Sequence, residues 1–102
     1  MRIMVFFDLP VVKDHDRKIA TKFRNYLLKD GFDMLQYSVY IRICKGLDGV
    51  NKHLERLNRN LPEKGAVRAM IVTEKQYEET KILVSCVSKK QEVSYVNQLA
   101  LF

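Results

Sequence analysis

The chain has 102 residues, 47% of them apolar and 29% charged, with 18 Lys and Arg against 12 Asp and Glu for a net charge of +6. That length suits one domain with a modest two-layer core and excludes a second, and no apolar run approaches the roughly 20 residues of a membrane span. The positive excess leaves two readings open, a polyanion partner or plain solubility.

Residues 2–9, RIMVFFDL, read as a near-continuous apolar strand suited to the middle of a sheet covered on at least one face. Pro10 ends it, because proline lacks the N–H that a ladder needs. The spacing of Ile19, Phe23, Tyr26 and Leu27 predicts a helix over 14–30, with Asp14 or Asp16 as its cap and Gly31 as its left-handed stop. The opposite face of this helix carries Arg17, Lys18, Lys22, Arg24 and Lys29.

The stretch FDMLQYSVYIRIC, 32–44, has strand composition but exceeds the usual length of about 5–6 residues. It is expected to be two strands in a tight hairpin, or one bent strand, with the break near Gln36–Ser38. A second helix is predicted over 47–61, with Asp48 as its cap, Val50, Leu54, Leu57 and Leu61 as its apolar stripe, and Pro62 as its end. GAVRAMIVT, 65–73, is another strand, and Thr73-Glu74-Lys75-Gln76 fits a capping box that opens a short helical turn.

KILVSCV, 81–87, reads as a further strand. Beyond it the tail keeps Val93, Tyr95, Leu99, Leu101 and Phe102 up to the terminus. Chain ends are normally polar and frayed, so such a tail needs a surface to dock on. The order of elements predicts an α+β, ferredoxin-like βαββαβ sandwich over residues 1–88, with 89–102 as an extra C-terminal strand or docking tail. No basic n-region or small-residue cleavage site opens the chain, so a cytoplasmic location without membrane contact is expected. Cys44 and Cys86 form no CxxC and stand apart from any histidine pair, which favours small core residues over a metal site or disulfide.

Asp8 is the residue that asks for an explanation. A carboxylate directly after Val5-Phe6-Phe7 is costly unless something satisfies it. One reading is local: Asp8 has reached the loop and caps the amides of Val11–Lys13 or pairs with Arg17. The other is a metal ligand at the strand end, since a hard cation such as Mg²⁺ accepts one or two carboxylates plus waters. The region offers no second acidic residue at DxD spacing, but a two-fold homodimer would bring two Asp8 residues to one axis. The same dimer would let the apolar tail add to its neighbour's sheet edge.

His15 is a candidate pH-sensitive contact or general base in the loop after the strand, against the commoner case of a solvated histidine. His53 is expected on the polar side of the second helix, without a role. Arg17, Lys18, Lys22 and Arg24 are the candidate phosphate contacts, against the alternative of a solvated helix face. Tyr37 and Tyr40 could stack on bases, although strand aromatics are more often core or interface.

These residues resemble the CRISPR-associated protein 2 family. The resemblance rests on the apolar strand ending in Phe7-Asp8, the basic helix opening with Arg17-Lys18, Gln36-Tyr37-Ser38-Val39-Tyr40 after a glycine, and Thr73-Glu74-Lys75-Gln76 after the late strand. It implies a ferredoxin-like homodimer with the two strand-end aspartates facing across the interface. It further implies Mg²⁺-dependent endonuclease activity on RNA or double-stranded DNA. In the cell it implies a dimer that bridges the CRISPR integrase subunits during spacer acquisition and holds the DNA duplex. Asp8 carries over as catalytic residue and metal ligand, and Arg17 and Lys18 as phosphate contacts. The family's usual tyrosine before the aspartate is Phe7 here, so a hydroxyl role at that position is lost.

Three functional expectations follow. The first is a phosphodiesterase using a cation shared by two Asp8 residues. The second is a basic scaffold that holds a duplex and docks the integrase through its tail. The third keeps the fold without the immune role, as a toxin-type small ribonuclease of the virulence-associated protein D kind. A regulatory domain binding a small molecule gains nothing from the sequence, which lacks a glycine-rich phosphate loop.

Overall fold

A computed structural model describes residues 1–84. Its elements are β1 (Arg2–Asp8), α1 (Asp14–Lys29), β2 (Asp33–Gln36), β3 (Val39–Ile43), α2 (Gly46–Arg59), β4 (Ala66–Val72) and α3 (Glu74–Glu78). The strands form one four-stranded sheet in the order β2-β3-β1-β4, with every neighbouring pair antiparallel. Each long helix carries the chain over a strand that is filled in by another element, which is the α+β, ferredoxin-like arrangement.

β1 takes the centre because it is the most apolar strand and has no breaker before Pro10. Its side chains alternate: Ile3, Val5 and Phe7 are buried beneath the helices, while Arg2, Met4, Phe6 and Asp8 belong to the other face. α1 contributes Ala20, Phe23 and Leu27 to the core, and α2 contributes Val50 and Leu57. Phe7 meets Phe23 edge-on at 5.1 Å between ring centroids and stacks on Tyr40 at 5.7 Å, geometries that suit the aromatic quadrupole. Cys44 is also core, and burial pushes its thiol pKa up.

The helix starts differ from the expectation. Lys13 and Lys45 hold the N-cap positions with no side-chain cap bond. Asp14 and Asp16 instead lie inside the first turn of α1, and Asp48 inside that of α2, where their charges complement the helix dipole. α2 stops at Arg59, so Leu61 leaves the apolar stripe and is exposed.

The 32–44 stretch is a hairpin. Tyr37 and Ser38 make the turn without a glycine because Ser38 itself adopts φ +64°, and an irregularity between Met34 and Gln36 absorbs the twist. Gly31 does stop α1, at φ +92°, and the Arg42 guanidinium fills the space where a Cβ would stand. The capping box also forms: Gln76 N–H donates to Thr73 Oγ1 at 3.1 Å, and Thr73 N–H donates to Gln76 Oε1 at 2.9 Å. Arg2 ties α3 to the start of β1 through two hydrogen bonds to Glu74, at 2.8 and 3.1 Å, and lies 3.8 Å from the Tyr77 ring centroid.

Lys81–Val84, the described part of the strand expected over 81–87, is not in a strand. β4 already fills the place beside β1 on this side, and the described sheet has only its two outer edges to offer. The rest of that strand, Cys86, and the 89–102 tail with Val93, Tyr95, Leu99, Leu101 and Phe102 lie outside the described residues.

Candidate functional site

Asp8 is the last residue of β1, opposite Ala66 of β4. It has not escaped into the loop. Strand alternation turns it away from the Phe7 side, onto the face opposite α1 and α2, and there it is exposed. Among the described residues its carboxylate makes no hydrogen bond or ion pair, so the local-cap reading fails. Arg17 is engaged elsewhere, pairing with Asp14 and donating to the carbonyls of Val12 at 3.1 Å and Val11 at 3.4 Å. It thereby shapes the 9–13 loop rather than neutralising Asp8.

The backbone beneath Asp8 is held from two sides. Phe7 N–H donates to the Ser38 carbonyl at 3.1 Å, tying the hairpin tip to the strand end. On the other side Gly65, at φ +94°, approaches so closely that an added Cβ would stand 2.6 Å from the Asp8 carbonyl oxygen. Beside Gly65, Lys64 Nζ lies 3.6 Å from Oδ1 of Asp16, a buried carboxylate oxygen with no hydrogen-bond donor among the described residues. The Asp16–Lys64 pair therefore anchors the loop that presses on Asp8.

The α1 surface near this sheet end is cationic. Lys18 and Lys22 are exposed and line an open groove with Arg17, Thr21, Asn25 and the Asp14 carboxylate that Arg17 pairs with. Arg24 is half-buried and turns toward the hairpin, where its Nη2 donates to the Tyr37 hydroxyl at 3.0 Å. Tyr40 is buried in the core at 3% exposure, whereas Tyr37 is 71% exposed. His15 sits in the first turn of α1 rather than in the loop, and it is exposed.

His53 corrects the sequence reading. It is buried rather than on a polar face, 7% exposed, between α1, β3 and α2. Arg42 Nε–H donates to His53 Nε2 at 2.9 Å. Because a guanidinium N–H can only donate, Nε2 must accept, and the network assigns the ring proton to Nδ1, which donates to Asp30 Oδ2 at 3.0 Å. Arg56 Nη1 donates to the other Asp30 oxygen at 2.9 Å, and the Tyr26 hydroxyl reaches Oδ2 at 3.4 Å. Burial alone would raise the Asp30 carboxyl, but the hydrogen bonds from His53 and Arg56 outweigh it and hold the pKa below the usual carboxylate range. Burial, with the Asp30 charge beside it, pushes Tyr26 up to about 12. This network joins secondary-structure elements at the end of β3 opposite the hairpin, away from Asp8. The signal was present in the sequence: His53 follows Val50 by three and precedes Leu57 by four, so it shares their stripe.

No group of three or more His, Cys, Asp or Glu side chains among the described residues can hold a metal ion. One chain thus supplies Asp8 alone at this position, whereas a hard divalent cation takes one or two carboxylates and fills the rest of its shell with water. No helix among the described residues is long and apolar enough to cross a membrane.

Fold and site define a small α+β protein that presents an exposed strand-end carboxylate near a cationic helix. The family described as CRISPR associated protein Cas2 matches residues 1–80, and the chain belongs to that family. It is 50% identical over 102 residues to the CRISPR-associated endoribonuclease Cas2 of Acidovorax ebreus (strain TPSY), covering 100% of both chains. It is 42% identical over 102 residues to the protein of that name from Campylobacter jejuni, covering 100% of this chain and 71% of the relative. A third relative of that name, from Parvibaculum lavamentivorans, is 37% identical over 103 residues and covered in full.

Proposed function

We propose that this protein is an endonuclease that cleaves phosphodiester bonds in RNA or double-stranded DNA, with Asp8 as its catalytic residue. The observation that carries the reading is the exposed Asp8 carboxylate at the end of the central strand, without a partner among the described residues. Relatives named endoribonuclease support it at identities of 50% and 42% across the whole of this chain.

The working form is a homodimer. The sheet face that bears Asp8 also bears Met4, Phe6, Ile43 and Met70, with Ile43 59% and Met70 49% exposed. The apolar part of this face, flanked by Arg2 and Arg68, favours a second copy over water. A two-fold axis across it brings two Asp8 residues together, and the pair holds a divalent cation, Mg²⁺ by the oxygen chemistry of its ligands. When bound, that ion supplies positive charge at the scissile phosphate. Lys18 and Lys22 hold the nucleic-acid backbone, and Arg17 orders the loop beside them.

In the cell the dimer serves spacer acquisition, as a basic scaffold that carries a DNA duplex and docks the CRISPR integrase subunit. The toxin-type ribonuclease reading is not favoured, since the family match extends over residues 1–80.

The test compares wild type with Asp8→Asn on matched RNA and duplex DNA, with Mg²⁺ or with EDTA, alongside sedimentation analysis. Metal-dependent cleavage by a dimer, lost in a variant that still dimerises, is the expected result. Equal cleavage by both proteins would refute the role of Asp8, and a monomer at working concentration would refute the shared site.

A further inference from the structure

We propose that Tyr37, held in place by Arg24, is a stacking platform for an unpaired nucleobase at the end of the cationic side of α1. The inference rests on the nucleic-acid reading above and adds a ligand class to it: single-stranded or frayed nucleic acid at the hairpin tip.

The first support is the way Tyr37 is exposed. The residue is 71% accessible, yet its ring is not loose. The hydroxyl accepts from Arg24 Nη2 at 3.0 Å, and the guanidinium carbon lies 5.2 Å from the ring centroid, within cation–π range of about 6 Å. An aromatic ring fixed in orientation while still exposed has already lost the rotamer freedom that a ligand would otherwise have to remove. Burial explains Tyr40, which stacks on Phe7. It does not explain Tyr37.

The turn supplies a second observation. In a two-residue hairpin loop, local chemistry favours Asn and Gly at positions of positive φ. Here Ser38 takes φ +64° and a large aromatic stands before it, so the local preference is set aside where the side chain faces solvent. The hydrogen bond from Phe7 N–H to the Ser38 carbonyl at 3.1 Å then fixes the tip to the same sheet end that carries Asp8.

Placement gives the ligand. Arg17, Thr21 and Arg24 follow one another by four and three residues, so they share the side of α1 that faces the hairpin. Lys18 and Lys22 lie beside them along the open groove. A backbone tracking these cations runs to Tyr37, and Arg24 has further N–H donors, without partners among the described residues, for a phosphate there. A ring at a loop tip can stack only on a base whose face is open, which excludes the interior of a duplex. It is tolerant of sequence, because every base has a π face.

The experiment uses the full chain and two probes. One is a single-stranded oligonucleotide carrying a fluorescent base analogue, and the other is a covalently closed circular duplex. Wild type is expected to quench the analogue. Tyr37→Ala should lose the quenching and weaken single-strand binding about tenfold, while affinity for the closed circle stays within about twofold. Tyr37→Phe should retain the quenching, and Arg24→Gln should reduce it by freeing the ring. Tyr37→Leu, which keeps bulk without a π face, serves if Tyr37→Ala fails to fold by circular dichroism. Unchanged quenching and affinity in the folded Ala or Leu variant would overturn the platform, as would equal losses on both probes. Wild type binding neither probe would overturn the nucleic-acid reading itself.

Discussion

Asp30→Ala measures how firmly the two long helices are joined to the sheet. The substitution removes the acceptor for His53 Nδ1–H at 3.0 Å, for Arg56 Nη1–H at 2.9 Å and for the Tyr26 hydroxyl at 3.4 Å. A hydrogen bond to a charged group contributes about 1.5–3 kcal/mol. The His53 arm sits near the upper end, because the two side chains are only 9% and 8% exposed. Arg56 is 43% exposed, so solvent screens its arm to about 0.5 kcal/mol. The long Tyr26 bond adds little. The expected loss is therefore about 3 kcal/mol, the sum of these arms. At about 4–8 °C per kcal/mol for a domain of this size, the midpoint should fall by about 12–24 °C. Thermal melts and urea titrations followed by circular dichroism on wild type, Asp30→Ala, Arg56→Ala and the double variant give the comparison. The sign with pH is also fixed. A carboxyl held below its ordinary range contributes fully above the unfolded pKa of about 4, and that contribution disappears as pH falls through the lower folded value. Wild type should accordingly lose stability in acid more steeply than Asp30→Ala. A loss below about 1 kcal/mol, or Arg56→Ala as costly as Asp30→Ala, would refute the dominance of the His53 arm.

Gly65→Ala should destabilise the fold by about 1–3 kcal/mol and lower cleavage per folded molecule, because neither the Asp8 carbonyl nor Leu9 can clear the added methyl. Urea melts and activity on the same preparation check it, and an unchanged pair would contradict the close approach. Tyr26, raised to about 12 from 10.0, should stay protonated in the folded state between those values, so its stabilising contribution is whole below pH 10 and is lost as pH rises toward 12. Phenolate absorbance against pH should show a late-titrating component that is absent from Tyr26→Phe. Lys18→Gln with Lys22→Gln should flatten the salt dependence of duplex binding by about one unit of slope per residue, and an unchanged slope would place the phosphates elsewhere.

The sheet was legible because its strands carry strong local signals. β1 is apolar and ends two residues before Pro10, and the capping box marks α3 from side chains three residues apart. Asp8 was legible as a singular residue, but its exposure follows from alternation within the strand, not from a turn that releases it. In α1 the acidic residues Asp14 and Asp16 pair with Arg17 and Lys64 instead of capping, partners that a local capping rule does not weigh. His53 was misassigned by residue type, although its spacing to Val50 and Leu57 places it on the buried side; Asp30 and Arg42, its partners, come from other elements and are invisible to periodicity. Tyr37 and Tyr40 looked alike in composition, and only the turn at Tyr37-Ser38 separates an exposed ring from a core one.

The most direct test of the shared carboxylate is a mixed dimer. Wild-type and Asp8→Ala chains carrying different tags are co-expressed, purified through both tags, and assayed for Mg²⁺-dependent cleavage against the two homodimers. If the two Asp8 residues form one site, the mixed dimer falls close to the Asp8→Ala homodimer. Half of the wild-type rate would mean that each chain works alone, and would contradict the site at the two-fold axis.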